Sequence, residues 1–582
     1  MLKALYERIG LFLVFLVGWV LCIKQIKEPD LWWQLRAGEW MLENQELTRT
    51  DVFSYTYAGE NWINVKWLYE VILASLASFL GPEAVVVLQL ISLSVVIFCL
   101  IILAKSFQNT SAFYLPASIL AILFFLFIHS ARINLRPEMN TYMFTAIYFL
   151  IFVKYRELKK VKWLYFLIPL QLLWTNLHEA YGVGLVMILS FALSLIGEWI
   201  LSKWKFLNYS FTIDRMVFLP LLLSFFVVVL NPHGFSLLQH NYEIFSQLQS
   251  NNYTSELLSI ASPLYWSKAS VLNMLIFSLS ILVVIFKKGK RGWKEYSSTL
   301  LMNYGLYYFL LFFAFFYLGL KAQRNAFFFA LISFPLYFQF FQLVFLKFLK
   351  KEGLAAMTVS ILALIFYLSI VSNSYYKLWQ PGDSFGLGVN REKNPIGASN
   401  FIKTNQINGN GFVDYFSSSY FLWSLQPEFK SYIDMRDLDI FDESFMSNVM
   451  QAHYQPNLIL KNGQELFAFM DSIDKFSYVV MLNNEIFDSF NLYMHQNELF
   501  DLAYVDGLNS VYLRRSQEHA DLINSFQQKQ LSSSYFSTYG EYHGKPWTKF
   551  LTRVFWPFYQ EKEFDQEDYR NMQALYELKF NI

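Results

Sequence analysis

Acidic residues lie beside long apolar runs in this chain, where they could take part in group-transfer chemistry. Asp30 follows the first apolar run, in the stretch EPDLWWQL. A carboxylate held partly out of water can accept a proton from a hydroxyl group, which makes Asp30 a candidate general base. The alternative is that Asp30 caps a helix that begins at Leu31. Trp32 and Trp33 are typical of a membrane interface.

Four basic residues could bind a phosphate or pyrophosphate, because guanidinium groups keep their charge and match phosphate oxygens in shape. They are Arg132 and Arg136, in ARINLRPEM, and Lys321 and Arg324, in KAQRNAFFF. The first two are four residues apart and would share one face of a helix. The alternative is that these side chains snorkel, or form salt bridges with Glu138 or Asp30.

Other polar residues give weaker signals. Asp51, in TRTDVFSYT, is either a turn residue or a second acid that binds substrate or metal. His178 and Glu179, in NLHEAYG, favour hydrogen bonding to a substrate, since a metal usually needs three protein ligands. We therefore predict no cofactor, and a divalent metal stays possible but unsupported. The acid-rich stretch 434–444 is predicted to be an exposed loop.

The elements that must position these residues are membrane helices. Of 582 residues, 55% are hydrophobic and 16% are charged, against about 25% charged in soluble domains. The net charge of +1 gives no sign of nucleic-acid binding. Apolar runs of about 20 residues predict a polytopic α-helical membrane protein. The eleven predicted spans are 8–26, 83–104, 112–130, 138–153, 163–178, 181–201, 216–231, 269–286, 298–319, 325–346 and 354–374.

Basic loops predict the orientation. Lys and Arg favour the cytoplasmic side, which places loops 154–162, 287–294 and 347–351 inside. With a cytoplasmic N-terminus, this holds only if the short apolar segment 66–80, which carries Glu70, does not cross the membrane. We predict that it lies at the interface. The candidate polar residues then all fall on the outer side of a plasma (inner) membrane.

The sequence after residue 374 predicts an extracytoplasmic domain. Segments 411–416, 430–435, 476–482 and 509–515 have the composition of strands, and helical patterns alternate with them. This predicts a small α/β domain. The predicted organisation is a transmembrane domain 1–374 with a first outer loop 27–82, an α/β domain 375–515 and a helical tail 516–582.

The order of motifs resembles the GT-C class of integral membrane glycosyltransferases, in particular the group of protein O-mannosyltransferases and lipid A aminoarabinose transferases. The similarity covers roughly residues 1–515, and it is the order of loose motifs that supports it. The motifs are DLWWQLRAG (30–38), RTDVFSYTYAGENWINVKWLYEVIL (49–73), LRPEM (135–139), NLHEAYGVG (176–184), NPHGF (231–235) and RNAFFFA (324–330).

The resemblance implies transfer of a sugar from a polyprenyl-phosphate-linked donor to an acceptor hydroxyl, on the outer face of the bilayer. Asp30 matches the catalytic aspartate that this class carries in its first outer loop. Gln34 and Glu138 stand where the family often has histidine, which points to a different acceptor or to weak or lost activity. The acceptor could be a protein, a lipid or a glycan. The alternatives are a transporter or flippase, and a non-catalytic membrane scaffold.

Overall fold

The structure is a computed structural model. It describes residues 2–107, 112–206, 210–240, 259–262, 277–281, 301–302, 304–349, 351–453, 460–484, 487–529 and 545–559. The chain divides into two compact units. The helical unit comprises Met1–Lys24 and Val85–Phe385, and the mixed unit comprises Gln25–Ala84 and Gly386–Ile582.

Helices make up most of the described chain. In chain order they are α1 (Leu2–Cys22), α2 (Asp30–Asn44), α3 (Trp67–Leu80), α4 (Ala84–Ser106), α5 (Tyr114–His129), α6 (Glu138–Leu158), α7 (Leu167–Leu177), α8 (Gly182–Lys203), α9 (Phe218–Phe226), α10 (Leu306–Lys321), α11 (Ala326–Phe348), α12 (Glu352–Val371), α13 (Ser374–Trp379), α14 (Ile396–Thr404), α15 (Tyr415–Ser424), α16 (Glu443–His453), α17 (Leu460–Asp474), α18 (Asp488–His495), α19 (Ala520–Lys529) and α20 (Pro546–Phe555).

Six segments of the described chain are helical, long and apolar enough to cross a membrane. They are Leu2–Cys22, Ala84–Ser106, Tyr114–Arg132, Glu179–Lys203, Gln323–Phe348 and Glu352–Val371. Three shorter apolar helices are Trp67–Leu80, Arg215–Val229 and Leu306–Lys321. The protein is therefore an α-helical membrane protein. The count of eleven spans and the orientation remain predictions, and the predicted span 269–286 lies mostly outside the described residues.

Aromatic side chains build much of the core of the helical unit. Phe152 of α6 stacks on Phe191 of α8, with ring centroids 4.3 Å apart. At that end of α6, Arg156 donates a hydrogen bond to the buried carboxylate of Glu198 at 2.7 Å. In a lipid environment, helices are held together by such close packing and by polar pairs between them.

A four-stranded sheet organises the mixed unit. Its strands are β1 (Gly411–Val413), β2 (Tyr478–Leu482), β3 (Phe500–Val505) and β4 (Asn509–Arg514), in the spatial order β1-β2-β4-β3. β1 and β2 pair in parallel, and the other two pairs are antiparallel.

The predicted strand at 430–435 was wrong. That segment is irregular in the structure, because the side chains of Ser431 and Asp434 bind to each other and Asp434 binds Arg436. β3 forms in a segment that was not among the predicted strands.

Helices α2 and α3 pack closely together within the mixed unit. A Cβ atom at Gly38 of α2 would collide with the backbone carbonyl of Glu70 in α3. α2 also packs against α15, where the ring of Trp32 lies 4.8 Å from Tyr420 and 4.7 Å from Trp423. Residues of the predicted first outer loop thus share a compact unit with the sheet. The predicted domain boundaries themselves remain predictions, as does a helical tail, of which α19 and α20 are described.

Candidate functional site

A short reversal between α5 and α6 brings Arg132 beside Glu138. α5 runs into a 3-10 turn, Ser130–Arg132, and α6 begins at Glu138 directly after Pro137. Proline suits this position because its fixed φ angle is compatible with a helix start. Arg132 donates a hydrogen bond to Glu138 Oε1 at 3.2 Å, and the hydroxyl of Tyr142 donates to the same oxygen at 3.0 Å. A guanidinium group is thereby fixed at the end of two helices.

His178 lies at the C-terminal end of α7, in an extended conformation. Its Nδ1 accepts a hydrogen bond from the backbone N–H of Ala180 at 3.1 Å. The hydroxyl of Thr141 lies 2.9 Å from the same nitrogen and accepts from Trp174 Nε1 at 3.1 Å. Because Nδ1 acts as an acceptor, the proton of the neutral ring belongs on Nε2, which is then the donor nitrogen.

The start of α11 lies against this group of side chains. The guanidinium of Arg132 is 5.8 Å from the ring centroid of Phe327, and Tyr142 lies 5.0 Å from Phe328. The 3-10 turn Gln323–Asn325, which contains Arg324, directly precedes α11. Arg324 is therefore at the same end of the helical unit as Arg132.

Seven predicted site residues gather at one end of the helical unit. There α5, α7 and α10 end, while α6, α8 and α11 begin. The seven residues are Arg132, Arg136, Glu138, His178, Glu179, Lys321 and Arg324. We call this set the polar end. Lys321 is exposed and lies over the ring of Tyr317, whereas the backbone carbonyl of Arg136 accepts a hydrogen bond from Gln89 at 2.8 Å.

Two further polar groups lie next to the polar end and were not among the predicted site residues. His129 is buried, and its ring stacks on Phe125 with centroids 4.8 Å apart. Lys24 forms a buried ion pair with Asp383 at 2.7 Å. Lys24 and Asp383 are 359 positions apart, and no local pattern in the sequence predicted this pair.

Asp30 is the first residue of α2, in the mixed unit. The preceding Pro29 occupies the N-cap position and makes no side-chain capping bond. A carboxylate in the first turn interacts favourably with the helix dipole. The indole N–H of Trp33 donates to Asp30 Oδ1 at 3.4 Å, and the ammonium of Lys66 lies 5.2 Å from the Trp33 ring. The surroundings of Asp30 are therefore aromatic and basic.

Asp51 lies in a buried ion cluster of the mixed unit. Its Oδ1 accepts hydrogen bonds from the backbone N–H of Phe53 at 2.8 Å and from Arg436 Nη1 at 2.6 Å. Arg436 also binds Asp434 through Nε at 2.8 Å and Nη2 at 2.7 Å. We call these three residues the Arg436 cluster. Its geometry favours a structural role for Asp51, and a contact between Asp51 and substrate stays a prediction.

The Arg436 cluster corrects the prediction that 434–444 is an exposed loop. Asp434 and Arg436 are completely buried. Burial alone would raise the pKa of Asp434, but the adjacent guanidinium outweighs this effect and lowers the pKa below its usual range. The guanidinium also lies 5.1 Å from the ring centroid of Trp62. The sequence signal was an arginine placed between two acids, but its partner Asp51 is 385 positions away.

Among the described residues, no group of three His, Cys, Asp or Glu side chains could hold a metal ion. The structure tests neither metal dependence nor the expected absence of a cofactor, and both stay predictions.

Comparisons with known proteins find similarity among solved structures. No family model matches the chain, and no curated protein matches it. Among solved structures, the chain is similar to the crystal structure of ArnT from Cupriavidus metallidurans bound to undecaprenyl phosphate. The identity is 11%, the TM-score is 0.37, and the match covers 88% of this chain and 98% of that chain. A likeness of this size does not establish a shared activity.

Proposed function

We propose that this protein is a membrane glycosyltransferase of the GT-C type. It moves a sugar from a polyprenyl-phosphate-linked donor to an acceptor hydroxyl by inverting displacement. The observation that supports the proposal most is the polar end, where basic, acidic and imidazole groups from distant parts of the sequence meet at one end of a membrane-helix unit. Five of the seven residues, Arg136, Glu138, His178, Glu179 and Arg324, also lie in the motifs that resemble the GT-C class.

The basic side chains of the polar end bind the donor phosphate. Negative charge builds up on this phosphate as its bond to the sugar breaks, and fixed guanidinium groups stabilise that charge. Arg132, Arg136 and Arg324 serve this role, together with Lys321. Glu138 keeps the Arg132 guanidinium in place through their hydrogen bond of 3.2 Å. The prenyl chain of the donor lies in the hydrocarbon region, between membrane helices.

The imidazole and carboxylate of the polar end orient the sugar. His178 donates from Nε2 to a sugar or phosphate oxygen, because its Nδ1 is already an acceptor for Ala180. Glu179, the next residue, accepts hydrogen bonds from sugar hydroxyls.

Asp30 is the general base. Its carboxylate removes the proton from the acceptor hydroxyl, and the resulting oxygen attacks the anomeric carbon from the face opposite the phosphate. A single displacement of this kind inverts the anomeric configuration. One carboxylate is enough, since phosphate leaves without being protonated. The acceptor hydroxyl belongs to a protein, a lipid or a glycan.

The test compares the full chain with its Asp30→Asn variant in lipid nanodiscs. The assay measures release of polyprenyl phosphate from a polyprenyl-phosphate sugar in the presence of candidate acceptors. Loss of a general base should lower the rate by about 100- to 10,000-fold. The control is Glu43→Gln, which removes an exposed carboxylate from the same helix. Equal rates for wild type and Asp30→Asn would remove Asp30 from the mechanism.

A further inference from the structure

Helix α20 buries two threonines and exposes large apolar side chains on its opposite side. Thr548 and Thr552, one turn apart, are buried. On the opposite side, Phe550 is 71% exposed and Val554 is 59% exposed, and Phe558 just beyond the helix is 77% exposed. A helix on the surface of a water-soluble domain normally has the reverse arrangement, with its apolar stripe facing the core.

A hydrogen bond to another segment fixes this orientation of α20. The hydroxyl of Thr548 donates to the carbonyl of Lys545 at 2.7 Å, and that of Thr552 donates to the carbonyl of Thr548 at 2.8 Å. Thr552 Oγ1 also accepts the backbone N–H of Leu387 at 3.0 Å. The inward threonines are therefore satisfied, and rotating the helix to bury its phenylalanines would break the contact with Leu387.

Basic residues border the exposed apolar side chains. Lys549 and Arg553 are one turn apart, and both are exposed. On a helical wheel they lie between the buried threonines and the exposed apolar side chains, and Arg553 is adjacent to Phe550. A stripe of Phe and Val beside a stripe of Lys and Arg is typical of helices that lie in a membrane interface, where the basic groups meet lipid phosphates.

Both ends of this segment lie beside chain that adjoins a membrane span. Lys545 is next to Gly81 and Glu83, and span α4 begins at the following residue, Ala84. After the helix, the ring of Tyr559 packs against Gly386, on the segment that follows span α12 and helix α13. These contacts within the mixed unit place α20 beside the residues that directly precede span α4 and beside the segment that follows α13.

We propose that α20 is an interfacial anchor that lies in the surface of an anionic lipid bilayer. Phe550, Val554 and Phe558 insert about 5–10 Å, to the boundary between headgroups and acyl chains. Lys549 and Arg553 contact lipid phosphates. A bilayer fits better than a protein partner because basic and apolar stripes lie side by side and the flanking segments adjoin spans. The anchor does not depend on the proposed glycosyltransferase activity.

The test uses the full chain with single cysteines that carry an environment-sensitive fluorophore. Cys22 and Cys99 are first replaced by alanine. The probe is placed at Phe550→Cys, and separately at Val554→Cys so that the test survives if one variant fails to fold. The control is Thr404→Cys, an exposed position near the end of helix α14. Vesicles contain phosphatidylcholine with phosphatidylglycerol, and the quenchers are acyl-chain doxyl lipids or aqueous iodide.

Insertion predicts at least about twofold stronger doxyl quenching at 550 and 554 than at 404, together with weaker iodide quenching. The double substitution Lys549→Glu and Arg553→Glu should reduce doxyl quenching at 550 when phosphatidylglycerol is present. Equal doxyl quenching at 550 and 404 would overturn the proposal. Shielding of 550 from both quenchers would also overturn it, since another protein segment or a second copy would then cover the helix.

Discussion

Two ion clusters, one in each unit, use an arginine in different ways. In the Arg436 cluster, the guanidinium donates to Asp51 at 2.6 Å and to Asp434 at 2.8 and 2.7 Å, and all three side chains are fully buried. At the polar end, Arg132 donates to Glu138 at 3.2 Å, and these side chains are 8% and 16% exposed.

The comparison distinguishes an arginine that stabilises the fold, Arg436, from an arginine whose surroundings fit the proposed binding of a phosphate, Arg132. Burying an ion costs several kcal/mol, so a fully enclosed ion is stable only with close partners on its hydrogen-bonding groups. Arg436 meets this condition and is inaccessible to a ligand. Arg132 combines a longer bond with some exposure, so an incoming phosphate can compete for its guanidinium. The contrast predicts that the two arginines fail in different assays.

Arg436→Met should show the largest effect, on stability. The substitution leaves two buried carboxylates without their cation, which costs about 3–5 kcal/mol in comparable buried pairs. Thermal unfolding followed by tryptophan fluorescence should show a large fall in Tm. The matched control is Arg515→Met, which breaks the exposed pair with Asp501 and should leave Tm nearly unchanged. A small effect of Arg436→Met would show that the cluster is not structural.

Arg132→Gln should lower the rate of sugar transfer rather than stability. Removing one group that stabilises developing negative charge typically costs about 100- to 1,000-fold in rate. Tm should change little. The comparison variant is Arg156→Gln at the other end of α6, about 27 Å along the helix from Glu138. It breaks the buried pair with Glu198, so it should lower Tm. If Arg156→Gln lowered activity as much as Arg132→Gln at equal folded fraction, the loss of activity could not be assigned to the polar end.

Asp414→Asn should remove a pH dependence of stability. Burial raises the pKa of Asp414 from 3.8 to about 7, although the N–H groups of Phe416 and Ser417 donate to its carboxylate. The folded state then binds more protons than the unfolded state between about pH 4 and pH 7, so stability falls as pH rises, by at most about 1.4 kcal/mol per pH unit.

The asparagine variant keeps an oxygen that can cap α15, so its Tm should fall less than that of wild type between pH 4 and pH 7. Asp521→Asn, at an exposed carboxylate of α19, should retain the wild-type slope. A slope unchanged by Asp414→Asn would mean that the carboxyl group is ionised throughout this range.

Thr141→Val should have the smallest effect. Valine has nearly the same shape, but it removes the hydroxyl that links Trp174 to His178. We expect the loss of this hydrogen bond to cost about 1 kcal/mol. If that energy is added to the activation barrier of sugar transfer, the transfer rate falls about fivefold. Thr145→Val is the control, because within the described chain that hydroxyl donates to the carbonyl of Thr141 and has no bond to His178, so the rate should stay unchanged. Equal rates for all three proteins would make the link to His178 irrelevant to transfer.

Local patterns in the sequence predicted the membrane helices and the residues of the polar end. Apolar runs of sufficient length must become helices in lipid, since every backbone polar group has to be satisfied within the segment. Short connections then return the chain to the same surface. The connections that contain Arg132, His178 and Arg324 therefore lie at the same end of the helical unit.

Only the tertiary structure determined which charged residues form buried ion pairs. Asp51 and Arg436 are 385 positions apart, and neither stretch has a local pattern that predicts the other. The same holds for the segment 430–435, which has strand composition but forms an isolated β-bridge through Ser431, while the side chain of Asp434 binds Arg436. Hydrophobic spacing acts over a few residues and can be read along the chain. The pairing of buried charges depends on which surfaces meet after folding, because only burial makes the ion pair necessary.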